Sequence, residues 1–268
     1  MRERRSENSS GKKDSVRAVE RMVDILQVFS FEQNELSLAR ICEQSGLPKT
    51  TTYRILTTLE KRNIVVLDSR TGKYRLGYEI IKMGSIARAG NSLQRAAHED
   101  MERLSLETQQ TCNLYIREGF ERLCVDQVEG TQYVKRFSYL GARHPLYCGA
   151  GKLLLAYADQ EVQDQYFATV KFEKYTDQTV TDPEQLKAEL RQILRDGYSV
   201  TKGERDPMTA MVSVPLYDYT QKVVASITIS GPVYLFTDEN VKLYRSKLLQ
   251  AAENISRKLG YCFSRAEE

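Results

Sequence analysis

The stretch SLARICEQSGLPKTTTYRILTTLEKRNIV, residues 37–65, predicts two short helices joined by a tight turn. Ser37 precedes three apolar residues at helical spacing, and serine is favoured at a helix N-terminus because its oxygen accepts a free backbone N–H. Gly46 ends this first helix, since glycine reverses the chain without a steric penalty. Pro48 then opens the second helix, where its missing N–H needs no partner. Together these signals predict a helix–turn–helix unit.

The second of these helices divides into two faces. The face predicted to pack against the protein contains Thr52, Ile55, Leu56 and Leu59. The face predicted to be presented to solvent contains Thr50, Tyr53, Arg54 and Thr57. Small hydroxyls, a phenol and a guanidinium can reach base edges and phosphates in a DNA major groove about 12 Å wide. We therefore interpret it as a DNA-reading helix, with an inert three-helix bundle as the alternative.

A helix and a hairpin flank this pair. Upstream, apolar residues recur at helical spacing over residues 16–29. Downstream, residues 65–67 and 74–76 predict two strands joined by a turn. The turn carries Arg70 and Lys73, which could rest on DNA beside the groove as a wing. A solvated turn is the simpler interpretation of these two residues alone, but the order of three helices and a basic hairpin favours DNA binding.

The distribution of charge supports this interpretation. The formal net charge is only +3, but residues 1–90 hold 17 Lys and Arg against 11 Asp and Glu, whereas residues 91–268 hold 22 against 25. A nucleic-acid-binding module attached to a neutral or acidic domain shows this asymmetry, because only the module that contacts phosphates needs cations. Residues 1–13 are basic and almost free of apolar side chains, which predicts a disordered tail.

Composition argues against several other classes of protein. The 268 residues, 41% hydrophobic and 28% charged, are typical of two ordinary globular domains. No apolar run is long enough to span a membrane and no secretion signal occurs, so a cytoplasmic location is expected. Five cysteines without a C-x-x-C pair and two distant histidines favour buried free thiols over a disulfide framework or a metal site. No nucleotide-binding spacing occurs, and we expect no cofactor.

The remaining residues predict a linker helix and an α+β domain. Residues 78–89 form an apolar helix that we expect to be buried, either against its own copy in a dimer or against its own domain. Further helices are predicted at residues 93–107, 151–158, 183–196 and 239–259. Strands are predicted at residues 112–117, 123–128, 133–137, 198–201, 210–217 and 223–230. Hairpin-connected strands flanked by helices favour an α+β sandwich around an antiparallel sheet.

Two loops of this half carry groups that could bind a ligand. Gly149 and its neighbours directly precede a helix, so their backbone amides are open to a carboxylate, although a tight turn is an equally good interpretation. The stretch 201–211 places charged residues between two strands. A binding rim is one interpretation of these charges, but we interpret them as an exposed loop: Glu204, Arg205 and Asp206.

One late strand carries two hydroxyls on one face. Thr228 and Ser230 alternate with isoleucines and, if their face is buried, they need polar partners, of which a ligand is one candidate. No acid–base pair and no activated nucleophile can be identified in this half. Cys148 precedes a helix, but without an assured histidine partner it is best interpreted as a packing residue. We therefore expect a binding protein and not an enzyme.

Six stretches, in chain order, resemble the isocitrate-lyase-regulator (IclR) family of bacterial transcription factors: SVRAVERMVDILQVF, the helix–turn–helix stretch above, DSRTGKYRLG, PLYCGAGKLLLA, GYSVTKGERDP and SITISGP. The resemblance runs from about residue 15 to residue 259. It implies a winged helix–turn–helix domain at 14–77, a linker helix used in dimerisation at 78–90, a GAF-like α/β effector-binding domain at 91–262 and a tail at 263–268.

The resemblance also implies the partners. Such proteins bind a double-stranded, palindromic DNA operator as a homodimer or homotetramer, and a small metabolite, an organic acid or aromatic compound, alters that binding. The alternative is a metabolite-binding or enzymatic domain whose N-terminal module serves only for protein interaction.

Functional residues follow from the resemblance one by one. For DNA binding it indicates Lys49, Thr50, Thr51, Tyr53, Arg54, Arg70 and Lys73. For effector binding it indicates Gly149, Ala150, Thr201, Met211, Thr228 and Ser230. The chain has Thr201 where some carboxylate-sensing members have an acidic residue, and Met211 where they have cysteine. The identity and the polarity of the ligand therefore stay open.

Overall fold

The computed structural model describes residues 16–90, 92–131 and 139–262. The strand predicted at residues 133–137 and the tails predicted at 1–13 and 263–268 lie outside the described residues. The chain divides into two compact units, of which the first ends at Gly90 and the second begins at the next position. Each unit has its own hydrophobic core.

Over residues 16–90, the first unit combines four helices with a small sheet. Its elements are α1 (Arg17–Gln27), β1 (Leu36–Ser37), α2 (Leu38–Ser45), α3 (Lys49–Glu60), β2 (Val65–Asp68), β3 (Lys73–Leu76) and α4 (Tyr78–Gly90). The strands form an antiparallel sheet in the order β1-β3-β2, in which β2 and β3 make the expected hairpin. The predicted order of three helices followed by a hairpin is confirmed.

Local signals set the limits of α2 and α3. The Ser37 hydroxyl accepts a hydrogen bond from the Arg40 backbone N–H at 3.4 Å, and Gly46 adopts a φ of +67° after α2. α3 begins directly after Pro48. The helices pack through one shared core formed by Ile25, Leu36, Ile41, Leu56, Leu59, Val65 and Tyr74. α1, α2 and α3 each bury residues in this core, which leaves their other faces available.

The second unit is built on a six-stranded antiparallel sheet in the order β6-β5-β4-β9-β8-β7. Its strands are β4 (Thr111–Glu118), β5 (Glu121–Val128), β6 (Arg143–Pro145), β7 (Ser199–Lys202), β8 (Thr209–Tyr217) and β9 (Val223–Pro232). Its helices are α5 (Ser92–Thr108), α6 (Gly151–Ala156), α7 (Gln160–Thr169), α8 (Pro183–Asp196) and α9 (Asp238–Lys258). The predicted α+β sandwich around an antiparallel sheet is confirmed.

Helices cover both faces of this sheet, and the two faces differ in polarity. α5 and α9 pack against one face, whose buried strand residues are apolar, among them Leu114, Val212, Val214, Ile227 and Ile229. α6 packs against the other face, with α8 beyond it. Because successive side chains alternate along a strand, the same strands present polar residues to this second face: Asn113, Ser213 and Thr228. The second face is therefore the one suited to ligand binding.

The sequence patterns do not predict α7 and β6 in the second unit. α7 buries only one side chain fully, Tyr166, so its apolar pattern is short and weak. β6 has three residues and is held by pairing with residues 121–123 of β5. Both elements are defined by contacts with distant parts of the chain and have weak local signals.

Gly77→Ala is expected to destabilise the first unit by about 1–3 kcal/mol, the usual cost of overpacking. A Cβ added to Gly77 would lie 2.1 Å from the Asn63 carbonyl oxygen and 2.8 Å from its carbonyl carbon. Both are backbone atoms, so relief requires a shift of the chain and not a side-chain rotation. Thermal unfolding of the full chain, followed by circular dichroism, measures the effect.

Gly84→Ala is the matched control for this prediction. Gly84 lies within α4, and a Cβ there would meet nothing within 4 Å. Alanine is also a better helix former than glycine, by about 1 kcal/mol. This variant is expected to unfold at the same temperature as the original chain or higher. Equal destabilisation by both substitutions would contradict the steric explanation for Gly77.

Candidate functional site

α3 presents the predicted polar face to solvent. Thr52, Leu56 and Leu59 are buried, with at most 3% exposure. Tyr53 is 54% exposed, and Arg54 beside it is also exposed. The predicted separation of a packing face from a presented face is confirmed for these residues, whereas Ile55 and Thr57, predicted on opposite faces, are both half-buried. The first turn of α3 adds further polar groups, namely exposed Lys49 and Thr50 and half-buried Thr51.

The hairpin tip is a defined turn that carries two cations. The Asp68 carboxylate accepts the backbone N–H of Arg70 at 2.8 Å and that of Thr71 at 3.4 Å. The Arg70 hydrogen bond is the main cause that holds the pKa of Asp68 below its usual range. Gly72 closes the turn with a φ of +67°. Arg70 and Lys73 are exposed on either side of this glycine, where they can approach an external anion.

The second unit contains a small cavity beside the loop that precedes β8. Its volume is about 30 Å³, which is room for roughly two water molecules. It is lined by Arg122, Gly149, Thr201, Glu204, Arg205, Asp206, Thr209 and Met211. Three of the six residues that the sequence indicates for effector binding therefore meet in one cavity wall: Gly149, Thr201 and Met211.

The other three, Ala150, Thr228 and Ser230, are buried but do not line this cavity. The Thr228 hydroxyl donates to the Ser213 hydroxyl at 2.8 Å. The Asn113 side-chain amide donates to the Ser230 hydroxyl, also at 2.8 Å. The polar partners that burial of Thr228 and Ser230 demands are thus supplied by the protein itself in this structure.

A buried ion pair joins the loop before β8 to α6. Lys152 is 1% exposed and pairs with Glu204, and its ammonium also lies 2.6 Å from a Glu189 oxygen. The second Glu204 oxygen accepts the Gly149 backbone N–H at 2.8 Å. The amide that the sequence offers to a bound carboxylate is therefore occupied by a carboxylate of the protein.

The interpretation of residues 204–206 as an exposed loop is wrong for Glu204 and Asp206. The Glu204 side chain is only 11% exposed and Asp206 is half-buried, whereas Arg205 is exposed and contacts His144 Nε2 at 2.9 Å. Burial raises the pKa of Glu204, against the opposite effects of Lys152 and the Gly149 amide. The ion pair and this hydrogen bond therefore offset part of the cost of burying the charge.

Arg122 is the candidate site residue that the sequence does not indicate. It lies on β5 and is 1% exposed. Its Nη1 donates to the Cys148 carbonyl at 2.8 Å, and its guanidinium carbon lies 5.0 Å from the centre of the Tyr115 ring. One signal could have found it: the strand alternation puts Arg122 on the same face as the buried Cys124. Arginine is seldom fully buried, so an inward position deserves a functional explanation.

The cysteines give no support to catalysis. Cys148 is fully buried and burial raises the pKa of its thiol, which confirms that it is a packing residue. Cys112 and Cys124 are also buried, but the expectation of buried thiols is wrong for Cys42, which is half-buried, and for Cys262, which is exposed. Across residues 16–90, 92–131 and 139–262, no His, Cys, Asp and Glu cluster could hold a metal ion. No helix in those same ranges could cross a membrane.

The linker helix α4 exposes most of its large apolar side chains. Tyr78, Ile81, Met83 and Ile86 are between 51% and 71% exposed. The expectation that they pack against their own domain is therefore wrong. Burial against a second copy stays a prediction.

Two family models match the chain. The model described as the IclR helix-turn-helix domain matches residues 18–69. The model described as the bacterial transcriptional regulator IclR C-terminal domain matches residues 88–257, which is more than half of the chain.

Relatives and solved structures match this chain along nearly its whole length. The HTH-type transcriptional regulator KipR of Bacillus subtilis is 30% identical over 246 residues, 91% of this chain and 98% of the relative. The crystal structure of the Thermotoga maritima IclR has 31% identity and a TM-score of 0.74, and the match covers 91% of this chain and 98% of that one. An IclR homolog from Microbacterium hydrocarbonoxydans, solved with 4-hydroxybenzoate, has 24% identity and a TM-score of 0.80, with coverage of 91% and 99%.

These relatives carry the names of regulators and not of enzymes. The chain therefore belongs to the IclR family of bacterial transcriptional regulators, with an N-terminal helix–turn–helix domain that binds DNA and a C-terminal effector domain.

Proposed function

We propose that α3 enters the major groove of an operator and reads it with Lys49, Thr50, Thr51, Tyr53 and Arg54. The observation that carries this proposal is the exposure of Tyr53 and Arg54 on α3, whose other side buries Leu56 and Leu59. An arginine can donate two hydrogen bonds to the acceptors of guanine, and the hydroxyl and ammonium groups at the start of the helix suit phosphates and base edges. Affinity and sequence preference would both come from this one helix.

The hairpin tip adds contacts that do not depend on sequence. Arg70 and Lys73 are exposed at the turn, which Asp68 holds by accepting two backbone N–H groups. A preformed turn loses little conformational entropy when it binds. We assign these two cations to phosphates beside the groove, where each would release counterions and make binding dependent on salt.

α4 is assigned to the contact between two copies. Its exposed apolar side chains have no reason to face water in the working protein, and a helix of this kind is covered most simply by its own symmetry mate. Two winged units, residues 14–77, would then reach half-sites roughly 34 Å apart, one turn of DNA. Residues 78–90 form the linker, residues 91–262 sense the effector, and the assembly is a dimer or a dimer of dimers. It acts in the cytoplasm, where a bacterial chromosome lies.

The effector site is assigned to Gly149, Ala150, Thr201, Met211, Thr228 and Ser230. Support comes from the cavity, which is lined by Gly149, Thr201 and Met211, and from the buried hydroxyls of Thr228 and Ser230. The ligand is an organic acid or an aromatic compound; the homolog from Microbacterium hydrocarbonoxydans holds one that is both. Such a ligand regulates only if it binds one arrangement of the linked copies better than another.

Arg54→Ala is expected to weaken operator binding about tenfold to a hundredfold, the usual cost of one lost base contact of 1–3 kcal/mol. Arg54 is exposed, so the variant should keep the unfolding temperature of the original chain. Fluorescence anisotropy with a labelled duplex from the region upstream of the protein's own gene, at fixed salt, measures the change.

Arg191→Ala on α8 is the matched control, because it removes the same charge from an exposed site in the other unit. Its operator affinity should match that of the original chain. If Arg54→Ala behaves like this control, α3 is not the reading helix.

Replacing both Ile81 and Ile86 with Asp is expected to dissociate the assembly. Each side chain is more than 60% exposed in the single chain. Covering one isoleucine contributes about 1.5–3 kcal/mol, and a two-fold interface would count each position twice. Sedimentation velocity should therefore show monomers at concentrations where the original chain is associated.

Leu106→Asp is the control for the linker helix, since Leu106 is 77% exposed and lies on α5. It adds an acid at an apolar surface site outside α4 and should leave the association state unchanged. Association that survives the double substitution in α4 would remove this helix from the interface.

A further inference from the structure

The charge of Arg122 is buried, and no ion pair with a carboxylate is formed within residues 16–90, 92–131 and 139–262. An arginine side chain has five N–H donors, and within the described part of the chain only Nη1 makes a hydrogen bond, to the Cys148 carbonyl. The Nε atom is buried and has no partner. The guanidinium also lies over the ring of Tyr115, whose face attracts a cation weakly.

This arrangement is costly for the protein alone. A guanidinium does not lose its proton in a protein interior, so Arg122 cannot relieve its burial by becoming neutral. A buried ion without a counter-ion costs several kcal/mol even after the surroundings relax. Structures normally avoid that cost, and the residues that keep it cluster at binding sites.

The acids near Arg122 are engaged elsewhere. Glu204 lines the same cavity but is paired with Lys152 and accepts the Gly149 amide. Asp206 also lines it and accepts the Met208 backbone N–H at 2.8 Å. Neither forms an ion pair with Arg122 among the residues that the structure describes. Arg122 thus has no ion-pair partner among the described residues of this wall, although two carboxylates lie in it.

A second unsatisfied group lies in the same wall. The Thr209 hydroxyl is buried without a hydrogen-bond partner and lines the cavity together with Arg122. Gly149 completes this arrangement, because a Cβ at that position would come within 2.7 Å of Arg122 Nη1. The backbone at Gly149 therefore leaves space for the guanidinium, and the cavity offers both a charged and a neutral polar group to one ligand.

We propose that Arg122 recognises the anionic group of the effector, and that the effector is accordingly a small monocarboxylate and not a neutral compound. The proposal rests on the assignment of the C-terminal unit as effector-binding, and it adds a specificity-determining residue to the six given above. The planar fork of a guanidinium matches the two oxygens of a carboxylate, which makes such pairs strong and selective. The carboxylate would supply the counter-ion that the wall lacks.

The test compares acids with their neutral, nearly isosteric amides. Isothermal titration calorimetry on the full chain, without DNA, uses three pairs of probes: acetate and acetamide, lactate and lactamide, and benzoate and benzamide. We expect at least one acid to bind about tenfold or more tightly than its amide, a difference of about 1.4 kcal/mol. In Arg122→Gln, which removes the charge but keeps a polar side chain, that preference should disappear.

Arg117→Gln is the matched control. Arg117 pairs with Arg122 across the two strands but donates to the Gly119 carbonyl and does not line the cavity. The Arg117→Gln variant loses the same charge and should still bind the acid more tightly than its amide. If Arg122→Gln does not fold, Arg122→Met serves instead, because replacing an uncompensated buried charge with an apolar chain is often neutral or stabilising.

Three results would overturn the proposal: no acid of the panel binds at millimolar concentration, acids and amides bind equally, or the preference survives in the folded Arg122 variant. Operator binding without effector, measured in parallel, separates this inference from the proposed function. Arg122→Gln should retain operator affinity. Absence of operator binding in the original chain would refute the proposed function while leaving the acid preference to be judged by itself.

Discussion

The buried ammonium of Lys152 holds the loop before β8 against α6 in the effector unit. Removed from water, it is stable only beside anions, and Glu204 and Glu189 provide them from the loop before β8 and from α8. Glu204 holds its loop close to the polar face of the sheet, and its second oxygen occupies the Gly149 amide. The position of the cavity wall and the small volume behind it both follow from this interaction.

The ion pair between Lys152 and Glu204 also affects the charge balance of the cavity. Because Glu204 pairs with Lys152, it does not pair with Arg122, which forms no ion pair in the described part of the chain. The proposed site therefore offers a cation to an anionic ligand. The apolar face of the same sheet, packed by α5 and α9, forms one hydrophobic core, and a second core lies between the other face, α6 and α8. The free energy gained from apolar burial offsets the cost of a polar group that is buried without a hydrogen-bond partner in the described part of the chain, such as the Thr209 hydroxyl.

In both units, burial of apolar side chains determines which face of an element carries the candidate binding residues. In α3, burial of Leu56 and Leu59 fixes the rotation of the helix, so that Tyr53 and Arg54 have to face outward. In the second unit, burial of Ile227 and Ile229 fixes the register of β9, so that Thr228 has to face the polar side. In each case the candidate binding residues lie on the face opposite the buried apolar residues. Communication between the units requires an element with two arrangements, and the exposed helix α4 is the candidate that the chain offers.

The winged unit could be predicted from sequence because its signals are local: Ser37, Gly46 and Pro48 set helix ends, and apolar spacing sets the packed faces. Family resemblance added three residues of the cavity wall, Gly149, Thr201 and Met211. Only the tertiary structure brought Glu204 to Lys152 and Arg122 to Gly149, and only it defined α7 and β6. The physical reason is that burial and ion pairing depend on contacts between residues far apart in the chain, whereas caps and periodicity depend on neighbours.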